Sequence, residues 1–191
     1  MSSIFRRFFY VLSYLGKPPW DTGISPPELL EFLDSHSPGR ALDLGCGTGT
    51  NLVTMAEYDW QVIGIDFSGY AVKSARKRLS TRGLAGQVFQ NNVSLTLPME
   101  GQFDLILDIG CYHDLSPSGR SGYRQNLGRY LAINGYYLIY AHCLAPEKSK
   151  ATGVSQKDID EFSRFLEVVS IVRTTDRWQR QTTWMTFTRK A

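Results

Sequence analysis

The run Ala41-Leu42-Asp43-Leu44-Gly45-Cys46-Gly47-Thr48-Gly49 joins a short apolar stretch to a loop in which every second residue is glycine. Glycines directly after a strand let the backbone turn tightly and approach a ligand with no Cβ in the way. A helix starting there points its free N–H groups into the same space. The spacing is G-x-G-x-G. A dinucleotide fingerprint would carry its third glycine at position 50, which is Thr50 here. Asp43, two residues before the first glycine, would repel a pyrophosphate but not a ligand carrying a positive ammonium and sulfonium. Asp66 closes the next apolar run, Gln61-Val62-Ile63-Gly64-Ile65. A carboxylate at such a strand end can accept hydrogen bonds from both hydroxyls of a ribose. Its bland alternative is a helix N-cap in Asp66-Phe67-Ser68-Gly69.

A second group of reactive side chains lies in Asp108-Ile109-Gly110-Cys111-Tyr112-His113-Asp114-Leu115. His113 titrates near neutrality and is the candidate general base. Its alternative is a structural histidine bonded to a backbone carbonyl. Tyr112 is the second catalytic candidate, and with Asp114 it either orients a substrate or caps the loop. His142 and Cys143 end a later strand. With His113 they match no metal-ligand spacing, and no metal is expected. Cys46, Cys111 and Cys143 are the three cysteines. An odd count without C-x-x-C argues against a disulfide framework and fits a reducing, cytoplasmic setting.

The elements that must position these groups alternate. Ser25 can cap a helix starting at Pro26-Pro27, ended by Ser37-Pro38-Gly39. Strands are expected at 40–44, 61–65, 87–90, 103–107 and 136–141. Helices are expected at 51–58, 69–81 and 155–166, and one marked by Tyr123, Leu127, Tyr130 and Leu131 is expected to close at Asn134-Gly135 as its C-cap. Leu166–Thr174 and Gln181–Thr188 are β-branched and aromatic and can pair as a hairpin. The fold class is therefore α/β: a Rossmann-like, doubly wound, mostly parallel seven-stranded sheet with an antiparallel C-terminal hairpin and helices on both faces. Lys73, Arg76, Lys77, Arg78 and Arg82 line the outer side of the 69–81 helix and read as a solvated face. Trp178 and Trp184, in or beside the hairpin, read as core or dimer packing.

The chain has 191 residues and a mass of 21.6 kDa, which favours a single domain over 1–191. Residues 1–36 would form an N-terminal helical arm or lid and 37–191 the ligand-binding core. Twenty-one Lys and Arg against eighteen Asp and Glu give +3, too little for a nucleic-acid footprint from charge alone. No apolar run approaches the roughly 18 residues needed to span a bilayer. Ile4 to Leu12 reads as an amphipathic helix, with a peripheral membrane contact as the alternative. Tyr10 and Tyr14 on it would pack on the sheet edge or line the substrate side.

Ala41–Gly49, Val62–Asp66 and Phe103–Asp108 resemble motifs of the class I S-adenosylmethionine-dependent methyltransferases, and the resemblance runs from about Trp20 to Tyr140. Pro19-Trp20-Asp21-Thr22-Gly23 is similar to the opening segment of the thiopurine, thiol and tellurite-type small-molecule branch. The resemblance implies S-adenosylmethionine as cofactor and S-adenosylhomocysteine as product. Gly45, Cys46 and Gly47 would line the methionine part, and Asp43 would hold its amino group. Asp66 would bind the ribose, with Phe67 beside the adenine. Asn92, with Val93 next to it, stands where the family usually has an acidic residue near the adenine amine, and its side-chain oxygen can still accept that hydrogen bond. Asp108 and Ile109 would face the methionine end, and Trp20 would be a lid over the cofactor. The implied activity is methyl transfer to a small-molecule acceptor by in-line displacement. A nucleic-acid or protein methyltransferase and a non-catalytic cofactor-binding module are the alternatives. Thr50 argues against a nicotinamide dehydrogenase. The strand-4 motif of adenine-N6 DNA methylases and the Pro-Cys nucleophile of cytosine-C5 enzymes are both missing, so no nucleic-acid partner is expected. The chain would be a monomer or homodimer.

Overall fold

The computed structural model describes residues 21–144 and 152–190. The readings for the N-terminal helix, Tyr10, Tyr14 and Trp20 fall outside those residues. The elements run α1 (Pro27–Ser35), β1 (Arg40–Leu44), α2 (Thr50–Glu57), β2 (Gln61–Asp66), α3 (Gly69–Thr81), β3 (Gln87–Gln90), β4 (Phe103–Ile109), a 3-10 turn (Tyr112–Asp114), α4 (Pro117–Tyr130), β5 (Leu131–His142), α5 (Gln156–Ser163), β6 (Leu166–Thr175) and β7 (Gln181–Arg189). The seven strands take the order β3-β2-β1-β4-β5-β7-β6. The expected α/β class, strand count and antiparallel C-terminal hairpin are all present. The chain folds as two compact units, one ending at Val93 and one beginning at Ser94.

In the first unit β1 and β3 both pair in parallel with β2, with Asp43 opposite Gly64 and Asp66 opposite Gln90. Leu42, Leu44 and Ile65 are buried with Leu52 and Met55 of α2 and with Ala71, Ala75 and Leu79 of α3. The 3–4 spacing of those helix residues sets one apolar face against the strands. Ser68 caps α3 by accepting from the Ala71 N–H at 3.4 Å. Ser25 does not cap α1: Pro26 occupies the N-cap position, and the Ser25 hydroxyl lies 2.9 Å from Asn51 Oδ1 and 2.8 Å from Thr54 Oγ1.

In the second unit β4 pairs with β5 in parallel, and β7 lies antiparallel between β5 and β6. Tyr137, Phe162 and Phe187 are fully buried among these strands and α5. The expected C-cap at Asn134-Gly135 is overturned. Helix α4 ends at Tyr130, and Asn134-Gly135 forms a kink inside the long strand β5. Asn134 takes φ of 61°, which asparagine tolerates. Gly135 is needed for a different reason: a Cβ there would sit 3.0 Å from the carbonyl oxygens of Ala132 and Phe103. The register with β4 shifts at this place, between Phe103 and Leu105. Asn-Gly is thus a signal of left-handed backbone that serves a strand irregularity as well as a helix end. Helix α5 is shorter than expected and opens on a capping box, in which Ser155 and Asp158 exchange hydrogen bonds.

Candidate functional site

The glycine loop follows β1 directly. Gly45, Gly47 and Gly49 have φ of 84°, 53° and 85°, the left-handed region that other residues resist. The N–H groups of Gly45 and Cys46 donate to the Ile65 carbonyl at 2.8 and 3.0 Å, which pins the loop to the end of β2. A Cβ on Gly49 would lie 2.7 Å from the Ala75 Cβ, so α3 also closes on the loop. Cys46 is buried, and its Sγ would meet a Cβ on Gly64 at 2.8 Å. Its thiol therefore fills the space left by that glycine.

Asp66 is only 3% exposed. One carboxylate oxygen accepts the Gly47 N–H at 3.0 Å and the other the Ser68 N–H at 2.8 Å. Burial pushes its pKa up to about 6, and these backbone hydrogen bonds only partly oppose that. The helix cap is Ser68, which leaves Asp66 to join the loop to the strand end. Asp43 is buried on β1, Phe67 is half-buried and its carbonyl accepts from Gln90, Asn92 is half-buried and Val93 is buried.

Asp21 adds a contact that the sequence did not reveal. Its carboxylate accepts from the Thr48 hydroxyl at 2.6 Å and the Thr50 hydroxyl at 3.3 Å, and it pairs with Arg78 at 3.1 Å. Arg78 also donates to Thr50, and the Arg76 guanidinium donates to the Val88 carbonyl. The basic side of α3 is therefore partly structural, which corrects its reading as a merely solvated face. Thr50, the residue that breaks the dinucleotide pattern, is a member of this tie.

In the second unit Asp108 is wholly buried. Its oxygens accept from the N–H of Cys111 at 2.8 Å, the N–H of Tyr112 at 3.0 Å and the Tyr123 hydroxyl at 2.7 Å. Burial drives its pKa up to about 7 against those bonds. Asp108 thus folds the loop that follows it, and Ile109 beside it is half-buried. Tyr112 is also wholly buried. Its hydroxyl donates to Asp158 at 3.0 Å and accepts from Arg124 at 2.7 Å. Arg120 donates to both Asp158 oxygens at 2.9 Å and to the carbonyls of His113 and Gly153 at 2.8 and 2.7 Å. Burial and the Asp158 charge hold the Tyr112 phenol far above its usual range.

His113 is buried, and its Nδ1 faces the backbone N–H of His142 at 3.3 Å. An N–H can only donate, so Nδ1 carries the lone pair and the ring proton sits on Nε2. Burial lowers the pKa to about 4, with the His142 and Arg120 charges acting in the same direction. His113 is therefore neutral at pH 7, and its outer nitrogen is a donor. The His142 ring stacks on it with centroids 4.5 Å apart and planes at 13°. His142 Nε2 lies 3.7 Å from Asp176 Oδ2. Asp176 is held in turn by Arg180 at 2.6 Å and by the N–H groups of Trp178 and Arg180 at 2.9 Å. His142, Asp176 and Arg180 were missed as a group because strand pairing, not sequence spacing, assembles them: His142 sits opposite Thr182 on β7. Among the described residues no cluster of three or more His, Cys, Asp or Glu could hold a metal ion, and no helix is long and apolar enough to cross a membrane.

Residues 41–135 match the family described as a methyltransferase domain. With the strand order and the acidic glycine loop, this defines the class: residues 41–135 form a methyltransferase domain of the class I S-adenosylmethionine-dependent kind. Within it, the chain is 29% identical over 126 residues to the 2-heptyl-1-hydroxyquinolin-4(1H)-one methyltransferase of Mycobacteroides abscessus, covering 65% of this chain and 56% of that one. It is 34% identical over 123 residues to the probable thiol methyltransferase 2 of Arabidopsis thaliana, covering 63% and 54%. It is also 34% identical over 89 residues to the ribosomal RNA small subunit methyltransferase C of Alcanivorax borkumensis, covering 45% and 27%. The chain thus spans little more than half the length of the first and second of these and about a quarter of the third. The fold superposes on the N-methyltransferase NodS of Bradyrhizobium japonicum, solved with S-adenosyl-L-homocysteine, with a TM-score of 0.82, 17% identity and coverage of 96% and 98%.

Proposed function

We propose that the chain binds S-adenosylmethionine and transfers its methyl group to a small-molecule acceptor. The observation that carries this reading is the carboxylate of Asp66, aligned by the Gly47 and Ser68 N–H groups at the mouth of a glycine loop that follows the buried Asp43. Two acidic side chains and a backbone free of Cβ atoms suit a zwitterionic donor with a sulfonium charge and a ribose diol. Gly45, Cys46 and Gly47 would line its amino-acid part and Asp43 would hold its ammonium. Asp66 would hold the ribose, while Phe67, Asn92 and Val93 would take the adenine. Trp20, as a lid, belongs to the same reading. When bound, the donor supplies a methyl carbon on positive sulfur and leaves as neutral S-adenosylhomocysteine.

Asp108 and Tyr112 would then be positioning residues that hold the loop carrying His113. His113, with its proton on Nε2, would donate a hydrogen bond to the acceptor. His142 is the better base: it is less buried than His113, its Nε2 faces Asp176 at 3.7 Å, and an unprotonated ring nitrogen would take a proton from an acceptor O–H or N–H as that atom bonds to the methyl carbon. The nearly balanced charge and the two small-molecule relatives support a small acceptor. The ribosomal RNA relative favours RNA as the second reading. Calorimetry with S-adenosylmethionine and with NAD tests the donor, and absence of S-adenosylmethionine binding overturns the proposal. Labelled donor mixed with a metabolite extract and with RNA separates the acceptors by where the label goes.

A further inference from the structure

Strand β6 (Leu166–Thr175) ends the sheet and, among the described residues, is bonded on one side only, to β7. Apart from Leu166 every one of its residues is exposed. Val168, Val169, Ile171 and Val172 are 46%, 55%, 37% and 58% exposed. A long edge strand of β-branched residues offers unpaired backbone groups to another strand, and natural edges are usually blunted by lysine or proline. This one has neither. A register shift between Val168 and Ser170 bends it without breaking it.

We infer that β6 is a self-association edge, pairing antiparallel with β6 of a second copy of this chain about a two-fold near Ser170. The sequence of the strand singles out that partner. Glu167-Val168-Val169-Ser170-Ile171-Val172-Arg173 has the same pattern from either end: charge, two aliphatics, serine, two aliphatics, charge. The end charges are opposite. An isologous contact must be complementary to itself. Antiparallel pairing brings the Glu167 end of each strand to the Arg173 end of the other and aliphatics to aliphatics. Parallel pairing would set like charge against like. One ribbon of this length buries less than the roughly 1,200–2,000 Å² of a standard interface. The dimer is therefore concentration-dependent.

Sedimentation of the full chain over about 1 to about 500 µM tests the inference. The weight-average mass is expected to rise from 21.6 kDa toward twice that value. Ile171→Lys, at a position 37% exposed, is expected to hold the mass at one chain with an unchanged circular dichroism spectrum. Glu167→Arg and Arg173→Glu are each expected to weaken association, and the two together to restore it. A single-chain mass throughout, or a dimer indifferent to Ile171→Lys, overturns the inference. Failure of the charge swap to restore association overturns the antiparallel arrangement.

Discussion

Asp66 is asked to stay charged in a place that resists charge. Burial raises its pKa to about 6, and two backbone N–H groups hold the ionised form in line. Asp66→Ala is expected to weaken S-adenosylmethionine binding by about 1–3 kcal/mol, the cost of leaving polar partners unmet. Calorimetry reads this directly, and unchanged affinity removes the ribose role. In the native chain affinity should fall as pH drops through about 6, where the carboxylate takes a proton. The two stacked histidines separate by their protons. A base works when deprotonated, so kcat at saturating S-adenosylmethionine, where the Asp66 effect on affinity drops out, should rise with pH through an apparent pKa below the ordinary 6.5, since burial and Arg180 lower that of His142. His142→Gln is expected to cut kcat by about 10²-fold and abolish this acid limb. His113→Gln should leave the limb in place. A limb that survives in His142→Gln assigns the proton elsewhere. His113 also has a stability signature. Its pKa is depressed to about 4, so the stability it provides is present above 6.5 and is lost as pH falls toward 4. His113→Gln should remove that contribution from the curve of Tm against pH.

At the scale of elements, the turn after β4, helix α4 and the start of α5 meet at Asp158. This one carboxylate binds Arg120, the Tyr112 hydroxyl and the Ser155 cap. Asp158→Ala would leave the Arg120 guanidinium, with 16% of its side chain exposed, without its counter-charge. Breaking a buried pair in this way costs about 3–5 kcal/mol. Urea unfolding should show that loss, and a change below about 1 kcal/mol would mean that the turn is held by packing alone. The strands and helices around the glycine loop were legible because apolar spacing and Gly45–Gly49 speak locally. The long β5 was not, because Asn134-Gly135 reads as a helix end until β4 is placed against it. Within the site, Asp43, the loop and Asp66 could be read from spacing. The Asp21–Arg78 tie and the His142–Asp176 contact join residues far apart in the chain, and no local pattern encodes them.

For the molecule as a whole, two carboxylates have pKa values raised by folding, Asp66 to about 6 and Asp108 to about 7. A raised acid stabilises the fold fully below its unfolded value and loses that contribution as pH climbs through the folded value. Without cofactor, Tm of His113→Gln, which lacks the opposing slope of that histidine, should therefore decline as pH rises from about 4 to about 7. A flat thermal profile across that interval would mean that both groups are ionised without penalty. S-adenosylmethionine should offset the decline by mass action, since it would bind the folded form alone.

The phenols packed beside Asp108 carry this electrostatic isolation into a visible signal. Tyr112, Tyr123 and Tyr137 are all shielded from water, and the pKa of each is pushed up by burial and by neighbouring carboxylates. In an alkaline spectrophotometric titration, surface tyrosines should form phenolate gradually, while these three stay silent until the second unit opens and then ionise together. Their absorbance step would be an intrinsic gauge of unfolding, needing no label and no knowledge of the acceptor.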